Sequence, residues 1–320
     1  MRIIFCGTPD YAVPSLKKLH ALAPRHEVVG VVSQPDKPKG RGNSKTPTPP
    51  PVVDAARALG IPNECIFQPK SINSKVILDA LRALQPDILC VVAYGNILKK
   101  EALELGRVFP INAHASLLPK YRGAAPIQAA LLAGDAETGV CVMKMEAGLD
   151  TGPVFLRRVI SIDPRETAGT LHDKLADLSA DCFADALDLL ERNDYVLDAQ
   201  DDSRASYAAK LEKTSGLIDW NASAVTIERL IRAMTPWPGA WTRVESADGK
   251  WGQRIRVAEA EIAAPGSSSS VLNGQFLIAS CGSGEALSIS KIQPEGKREM
   301  TVAEFLRGAG KPLMNGVRWS

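Results

Sequence analysis

Asp87-Ile88-Leu89-Cys90-Val91-Val92-Ala93 opens on one acid and then runs apolar, with no alternation of polar and apolar residues. A strand with one wet face alternates, so an unbroken run of this kind belongs to a strand covered on both sides. Arg2-Ile3-Ile4-Phe5-Cys6 and Glu27-Val28-Val29-Gly30-Val31-Val32 have the same character, and residues 108–114 read as a fourth strand. Between these strands lie helix-like patterns at residues 9–22, with a proline near the start, and at residues 52–59 and 74–84. Strands that alternate with helices build a parallel sheet with helices on both faces. Residues 167–191 add a long helix. Its Leu171, Leu175, Leu178, Phe183, Leu187 and Leu190 recur at near-helical spacing and are expected to pack on the sheet.

The style changes further along. Residues 191–207 are polar, rich in Asp and without apolar period, and read as a linker. Beyond them come short runs at residues 255–257, 276–279 and 286–292, separated by turns such as Asp248-Gly249, Asn273-Gly274 and Gly282-Ser283-Gly284. One helix is expected at residues 224–234. The fold class is therefore α/β. A Rossmann-like, doubly wound and mostly parallel sheet occupies residues 1–190, and a small OB-like β-barrel occupies residues 208–320.

Composition narrows the function. The chain has 320 residues, 45% hydrophobic and 23% charged, the balance of a folded globular protein. With 38 Lys+Arg against 36 Asp+Glu the formal charge is +2, which excludes a general polycation that coats nucleic acid. The charge is uneven. Residues 204–320 carry 15 basic and 11 acidic side chains, a net of +4, and the remainder is net −2. Six cysteines, at 6, 65, 90, 141, 182 and 281, form no Cys-x-x-Cys pair, so neither a zinc cluster nor a disulfide framework is expected. The first residues lack a signal-peptide pattern, and no apolar run approaches the length of a membrane span. The expectation is a cytoplasmic protein with reduced thiols and no membrane contact.

One segment is unlike the rest. Residues 34–51 hold Lys37, Lys39, Arg41 and Lys45 against Asp36, together with six prolines and two glycines. Such a segment is expected to form neither helix nor strand and to be mobile unless something acidic orders it. Composition alone fits a solubilising insertion as well as a basic arm that folds onto a phosphate backbone.

The candidate chemistry sits at the end of the fourth strand, in Ile111-Asn112-Ala113-His114-Ala115-Ser116-Leu117-Leu118-Pro119. Asn112 and His114 are two apart, so their side chains share a face. In open α/β sheets ligands bind beyond the carboxyl ends of the strands. An amide and an imidazole there can hold one carbonyl between them, although a strand-end histidine is also an ordinary structural residue. Asp150, in Gly148-Leu149-Asp150-Thr151-Gly152, is either an ordinary Asp turn or a third member of the same site. Phe5-Cys6-Gly7-Thr8-Pro9 has one glycine where a dinucleotide-binding loop has three, which argues against an NAD-dependent oxidoreductase. No His-x-x-x-His and no carboxylate cluster near His114 suggests a metal, and no Gly-x-Ser-x-Gly suggests a serine nucleophile.

Taken together, Asn112-x-His114-x-Ser116-Leu117-Leu118-Pro119, Tyr121-Arg122-Gly123-Ala124-Ala125-Pro126-Ile127-Gln128 and Gly148-Leu149-Asp150-Thr151-Gly152 resemble the folate-dependent formyltransferases. The similarity extends to Phe5-Cys6-Gly7-Thr8-Pro9-Asp10, to Tyr207-Ala208-Ala209-Lys210-Leu211, to Pro236-Trp237-Pro238-Gly239-Ala240 and to Gln293-Pro294-Glu295-Gly296-Lys297, and so covers nearly the whole chain. The two-domain order and the basic loop narrow the acceptor to a tRNA. The resemblance implies transfer of a formyl group from 10-formyltetrahydrofolate, as co-substrate, to the α-amine of the methionyl initiator tRNA, for the start of translation.

In that reaction the amine is the nucleophile, so no enzyme Ser or Cys is required. Asn112 and His114 would donate N–H groups to the developing oxyanion. Asp150 would orient His114 and, directly or through a water, carry a proton. The resemblance places the folate beside Ser116, Leu117, Leu118 and Pro119, with Leu89 and Val91 as further apolar walls. It places the tRNA acceptor end near Lys37, Lys39, Arg41 and Lys45, and makes residues 208–320 a tRNA-binding domain that contributes further phosphate contacts, without saying which Lys or Arg makes them. No metal and no obligate protein partner is implied, and a monomer suffices. The same chemistry on another acceptor (an amino sugar, a ribonucleotide amine or water) and a non-catalytic RNA binder on a retired scaffold are the alternatives.

Overall fold

The fold was obtained as a computed structural model that describes residues 1–39, 46–264 and 266–319. The strands in chain order are β1 (Arg2–Cys6), β2 (Glu27–Val32), β3 (Lys37–Lys39), β4 (Thr46–Thr48), β5 (Ile66–Phe67), β6 (Ile88–Val91), β7 (Ile111–His114), β8 (Arg122–Gly123), β9 (Glu137–Lys144), β10 (Val154–Ser161), β11 (Tyr207–Ala208), β12 (Ala240–Ser246), β13 (Gly252–Ile262), β14 (Ser270–Leu272), β15 (Phe276–Ser280), β16 (Ala286–Pro294), β17 (Met300–Thr301) and β18 (Val317–Trp319). The chain divides into two compact units. One comprises Met1–Pro126, Glu137–Ser161 and His172–Ala208, and the other Ile127–Ala136, Ile162–Leu171 and Ala209–Ser320.

The first unit is built on a seven-stranded sheet of order β10-β9-β7-β6-β1-β2-β5. From β7 to β5 the strands are parallel, while β9 and β10 are antiparallel additions beside β7. Ile3, Ile4, Phe5 and Cys6 of β1 and Ile88, Leu89 and Cys90 of β6 have no exposed surface, as their unbroken apolar runs require. The chain lays β2 and β5 to one side of β1 and β6 and β7 to the other, so a topological switch point opens at the carboxyl ends of β1 and β6. The hydroxyl of Thr8 and the amide of Gln34 both donate to the carbonyl of Tyr94, tying together the loops that follow β1, β2 and β6.

The basic segment corrects an expectation, and the contacts of the two compact units run across the bounds drawn from the sequence. Within the basic segment, β3 and β4 pair as an antiparallel ribbon with Lys37 opposite Thr48 and Lys39 opposite Thr46. Pro38 faces Pro47 between those pairs, where the ladder requires no N–H, so the prolines are compatible with a strand. Residues 191–207 are not a detached linker. They belong to the first unit, with Asp198 bonded in both directions to Val154 and Tyr207–Ala208 pairing in parallel with β8. Nor does the second unit begin after residue 207. It takes in residues 127–136 and 162–171, because Arg229 donates to the carbonyl of Ala133, Arg232 to that of Glu166, and Gly169 to that of Thr235.

The second unit is an antiparallel sheet of order β14-β15-β16-β13-β12-β18, with β17 added to β16. Inward residues such as Val244, Ile255, Val257, Leu277, Leu287 and Ile289 are buried, and outward ones include Arg243, Glu245 and Arg254. The sheet curls until the indole N–H of Trp319 on β18 donates to the carbonyl of Ile278 on β15, a nearly closed barrel. Helix Ala224–Met234, capped by the Ser223 side chain, buries Ile227, Ile231 and Met234. Asn273-Gly274 takes the left-handed backbone angles of a tight hairpin turn, as its sequence predicts. Among the described residues no helix is long and apolar enough to cross a membrane.

Candidate functional site

β7 is only four residues long and lies between β6 and β9, which fixes its carboxyl end beside the switch point. His114 is almost fully buried there. Asn112 is partly exposed on the same face, and its amide has no side-chain partner among the described residues. Asp150 stands in the connection between β9 and β10 with a left-handed φ of 55°, and its carboxylate lies 3.7 Å from Nδ1 of His114. The histidine and the acid, 36 positions apart in sequence, are thus brought together.

The other ring nitrogen is also engaged. Nε2 of His114 lies 2.9 Å from the carbonyl oxygen of Tyr121. A carbonyl can only accept, so Nε2 carries a proton and donates it. The Nδ1 edge is then the free one, facing a carboxylate at a distance longer than a direct hydrogen bond. This changes the expected division of labour. The Nε2 donor is committed to the protein, so the open donor on this face is the Asn112 amide.

Asp150 is held from several sides. One carboxylate oxygen accepts from the backbone N–H of Gly123 at 2.8 Å. Its own carbonyl and that of Gly152 accept from the side-chain amide of Gln200, at 2.8 and 2.7 Å. The other end of that amide accepts twice from the guanidinium of Arg122, at 3.0 and 2.8 Å, and Arg122 completes its set on Asp202 at 2.7 Å. Arg122 is 2% exposed, so this paired and hydrogen-bonded state is what makes its burial tolerable. Glycine is required at 152, where a Cβ would come within 1.8 Å of the Lys144 carbonyl oxygen. Sequence reasoning missed Gln200. It stands in a stretch without pattern, and its partners lie 48 to 78 positions away. Ser206, which accepts from the Tyr121 N–H at 2.9 Å, was missed for the same reason; Tyr121, only seven residues from His114, belongs to one of the sequence motifs but was given no role.

The remaining candidates fall into two sets. Ser116 is buried with its hydroxyl donated to the Lys120 carbonyl, and Leu118 packs with Cys141, Met143 and Val154. Leu117 and Pro119 keep exposed surface beside the site. Leu89 and Val91, expected as walls for a ligand, are instead committed to the core cluster with Ile4, Cys6 and Tyr94, so neither side chain presents a surface. Lys37 is exposed on the proline-bearing ribbon, and Lys39 lies on the same strand. Arg41 and Lys45 fall outside the described residues. Elsewhere, His26, Asp188 and Glu191 come together closely enough to hold a cation, but both carboxylates already pair with Arg25.

A donor amide, an oriented imidazole and a fixed carboxylate at the mouth of a doubly wound sheet are the kinds of group that acyl or formyl transfer uses. Comparison with known proteins gives the family. Residues 1–187 match the formyl transferase family and residues 210–310 match the formyl transferase C-terminal domain. The chain is 43% identical over 312 residues to a methionyl-tRNA formyltransferase of Geotalea daltonii, covering 96% of this chain and 95% of that one. It is 45% identical over 315 residues to the methionyl-tRNA formyltransferase of Desulfotalea psychrophila, covering 97% and 93%. A solved methionyl-tRNA formyltransferase from Clostridium thermocellum shares the fold, with a TM-score of 0.54 and 18% identity over 82% of this chain and 94% of that one. The chain belongs to the formyl transferase family, and within it to the group of the methionyl-tRNA formyltransferases.

Proposed function

We propose that this enzyme moves the formyl group of 10-formyltetrahydrofolate onto the free α-amine of methionine carried by the initiator tRNA, for the start of protein synthesis. What supports it most is the meeting of His114 and Asp150 beside the unpartnered amide of Asn112, in a chain whose relatives are named for formylating methionyl-tRNA. Asn112 donates to the oxygen that gains charge as the amine adds to the formyl carbon. A fixed donor of this kind typically lowers the barrier by about 3–4 kcal/mol. His114 keeps its Nε2 proton on the Tyr121 carbonyl and offers Nδ1 to the proton the amine must lose; the same proton is returned to the folate nitrogen as its bond to the formyl carbon breaks and tetrahydrofolate leaves. Asp150, whose carboxylate lies 3.7 Å from Nδ1, stabilises the imidazolium so formed.

Folate is assigned to the turn of Ser116, Leu117, Leu118 and Pro119. Leu117 and Pro119 supply the apolar surface there, and the buried Ser116 and Leu118 hold the turn in place. The acceptor end of the tRNA is assigned to the basic segment through Lys37, Lys39, Arg41 and Lys45, which neutralise phosphates. The test is formyl transfer from 10-formyltetrahydrofolate to charged initiator tRNA, with free methionine and amino sugars as competing acceptors. Formylation of the tRNA alone is the expected result. Turnover on an amino sugar with none on tRNA would assign the chemistry to a different acceptor.

A further inference from the structure

Outside this site, one cluster of charged side chains has no use in the reaction. On the outer face of the barrel sheet, Trp241 of β12 is paired across the ladder with Arg256 of β13, and Arg256 with Gln293 of β16. Arg254, two residues before Arg256, shares its face. Together with Pro238 and Pro294 they line a cavity of about 200 Å³. The Arg254 guanidinium stacks on the Trp241 ring at 3.9 Å, which orients its planar fork while leaving its N–H donors open.

Arg256 is more telling. Its Nε is buried without a hydrogen-bond partner, and one terminal nitrogen reaches Gln293 only at 3.5 Å. A buried N–H of a charged group left unpaired is costly, and an anion is what removes that cost. Nearby arginines are treated differently: Arg243 is neutralised by Glu245 at 2.6 Å and Arg232 by Glu228 at 2.5 Å. Neither Arg254 nor Arg256 has an ion pair among the described residues, although the exposed Glu295 also lines the cavity. The backbone makes room for this arrangement. Gly239 has a φ of +87°, and a Cβ there would come within 2.4 Å of the Arg256 side chain.

We propose that Arg254 and Arg256, set on Trp241, form a binding site for one backbone phosphate of the tRNA. This rests on the tRNA reading above and adds residues of the barrel unit that grip the acceptor. The surrounding residues 204–320 carry the net charge of +4, which suits an RNA backbone.

The experiment uses the full chain with Arg254→Gln, Arg256→Gln and the double variant. Lys75→Gln, an exposed residue paired with Asp79 on a helix of the first unit, serves as the charge-matched control. Formylation of charged initiator tRNA is measured over a range of salt concentrations. The double variant should raise the KM for tRNA about tenfold, with kcat and the folate KM within about twofold of the unaltered enzyme. The slope of log(kcat/KM) against log salt should fall by about 0.7–0.9, the value for one neutralised phosphate. If the double variant melts early, Arg254→Gln at an exposed position carries the slope measurement. A KM and slope like those of Lys75→Gln would overturn the site while leaving the tRNA reading intact. An unaltered enzyme that neither binds nor formylates tRNA would remove both.

Discussion

Arg122 and Arg256 both lie against strands, yet they are handled in opposite ways. Arg122 has its guanidinium committed to Gln200 and Asp202, and through Gln200 it fixes the bend that carries Asp150. Arg256 keeps a buried Nε with no partner, and its neighbour Arg254 is stacked rather than paired. Chemistry at a single carbon needs groups held to fractions of an ångström, so the protein uses its own polar atoms to complete one another. A surface that grips a long polyanion must leave its donors open, because the ligand completes them. On the proposal made above, where an arginine finds its acceptor separates a scaffold residue from one that waits for a ligand.

This contrast is most exposed at the fixed end. Asp150→Asn keeps the shape of the bend and removes the charge facing Nδ1 of His114, and is expected to lower kcat by about 10²–10⁴ with little change in either KM. Steady-state kinetics with tRNA and folate varied separately would show it, and unchanged turnover would remove Asp150 from the mechanism. Asn112→Ala should lower kcat by about 10²–10³, the usual cost of one oxyanion donor. A rise in KM alone would make Asn112 a binding residue instead.

Gln200→Ala cuts the strap without touching any of the reacting groups. It leaves two donor sites of a buried arginine unmet and is expected to cost about 2 kcal/mol of stability, read as a lowered Tm. kcat should fall while the tRNA KM holds. A lowered Tm with full turnover would mean that the strap supports the fold and not the geometry of Asp150.

On the open face, Gly239→Ala moves Arg256 while keeping its charge. The left-handed backbone costs about 1–2 kcal/mol, and tRNA binding should weaken although the net charge is unchanged. Equal affinity would show that charge matters there and position does not.

The smallest effect belongs to neither region. His26 is buried beside the Met1 ammonium, 3.2 Å from Nδ1. Burial first and that ammonium second push its pKa below the ordinary 6.5, against the opposing pull of Glu191 and Asp188. Its native state is therefore the neutral one. The associated stability is complete above about pH 6.5 and declines as the pH falls through the native value, where the unfolded chain binds the proton more readily. Urea unfolding at pH 8 and pH 5 should show the loss, and His26→Gln should reduce the difference. A pH-independent midpoint would contradict the assignment.

Legibility followed the range of the interactions. The four apolar strands and the intervening helices could be read because burial on both faces demands an unbroken apolar run. The antiparallel pair β9 and β10 went unread, although Gly139–Met143 is buried throughout; it follows a helix and returns as a hairpin, outside the alternating pattern. The ribbon through Pro38 and Pro47 contradicted composition, because what matters for a proline is whether its ladder position needs an N–H. Residues 191–207 looked like a linker because Gln200 and Asp202 satisfy partners far away and leave no local period.

From composition and spacing alone follow the two kinds of domain, the strand that bears Asn112 and His114, and the glycine-flanked bend at Asp150. All of these depend on neighbours a few positions apart. The fold had to supply the rest: which nitrogen of His114 is spent on Tyr121, which side chain straps the bend, and which arginines remain unpaired. Those choices depend on hydrogen bonds that close across dozens of residues, and a hydrogen bond is set by distance and angle, which the order of residues along a chain does not carry.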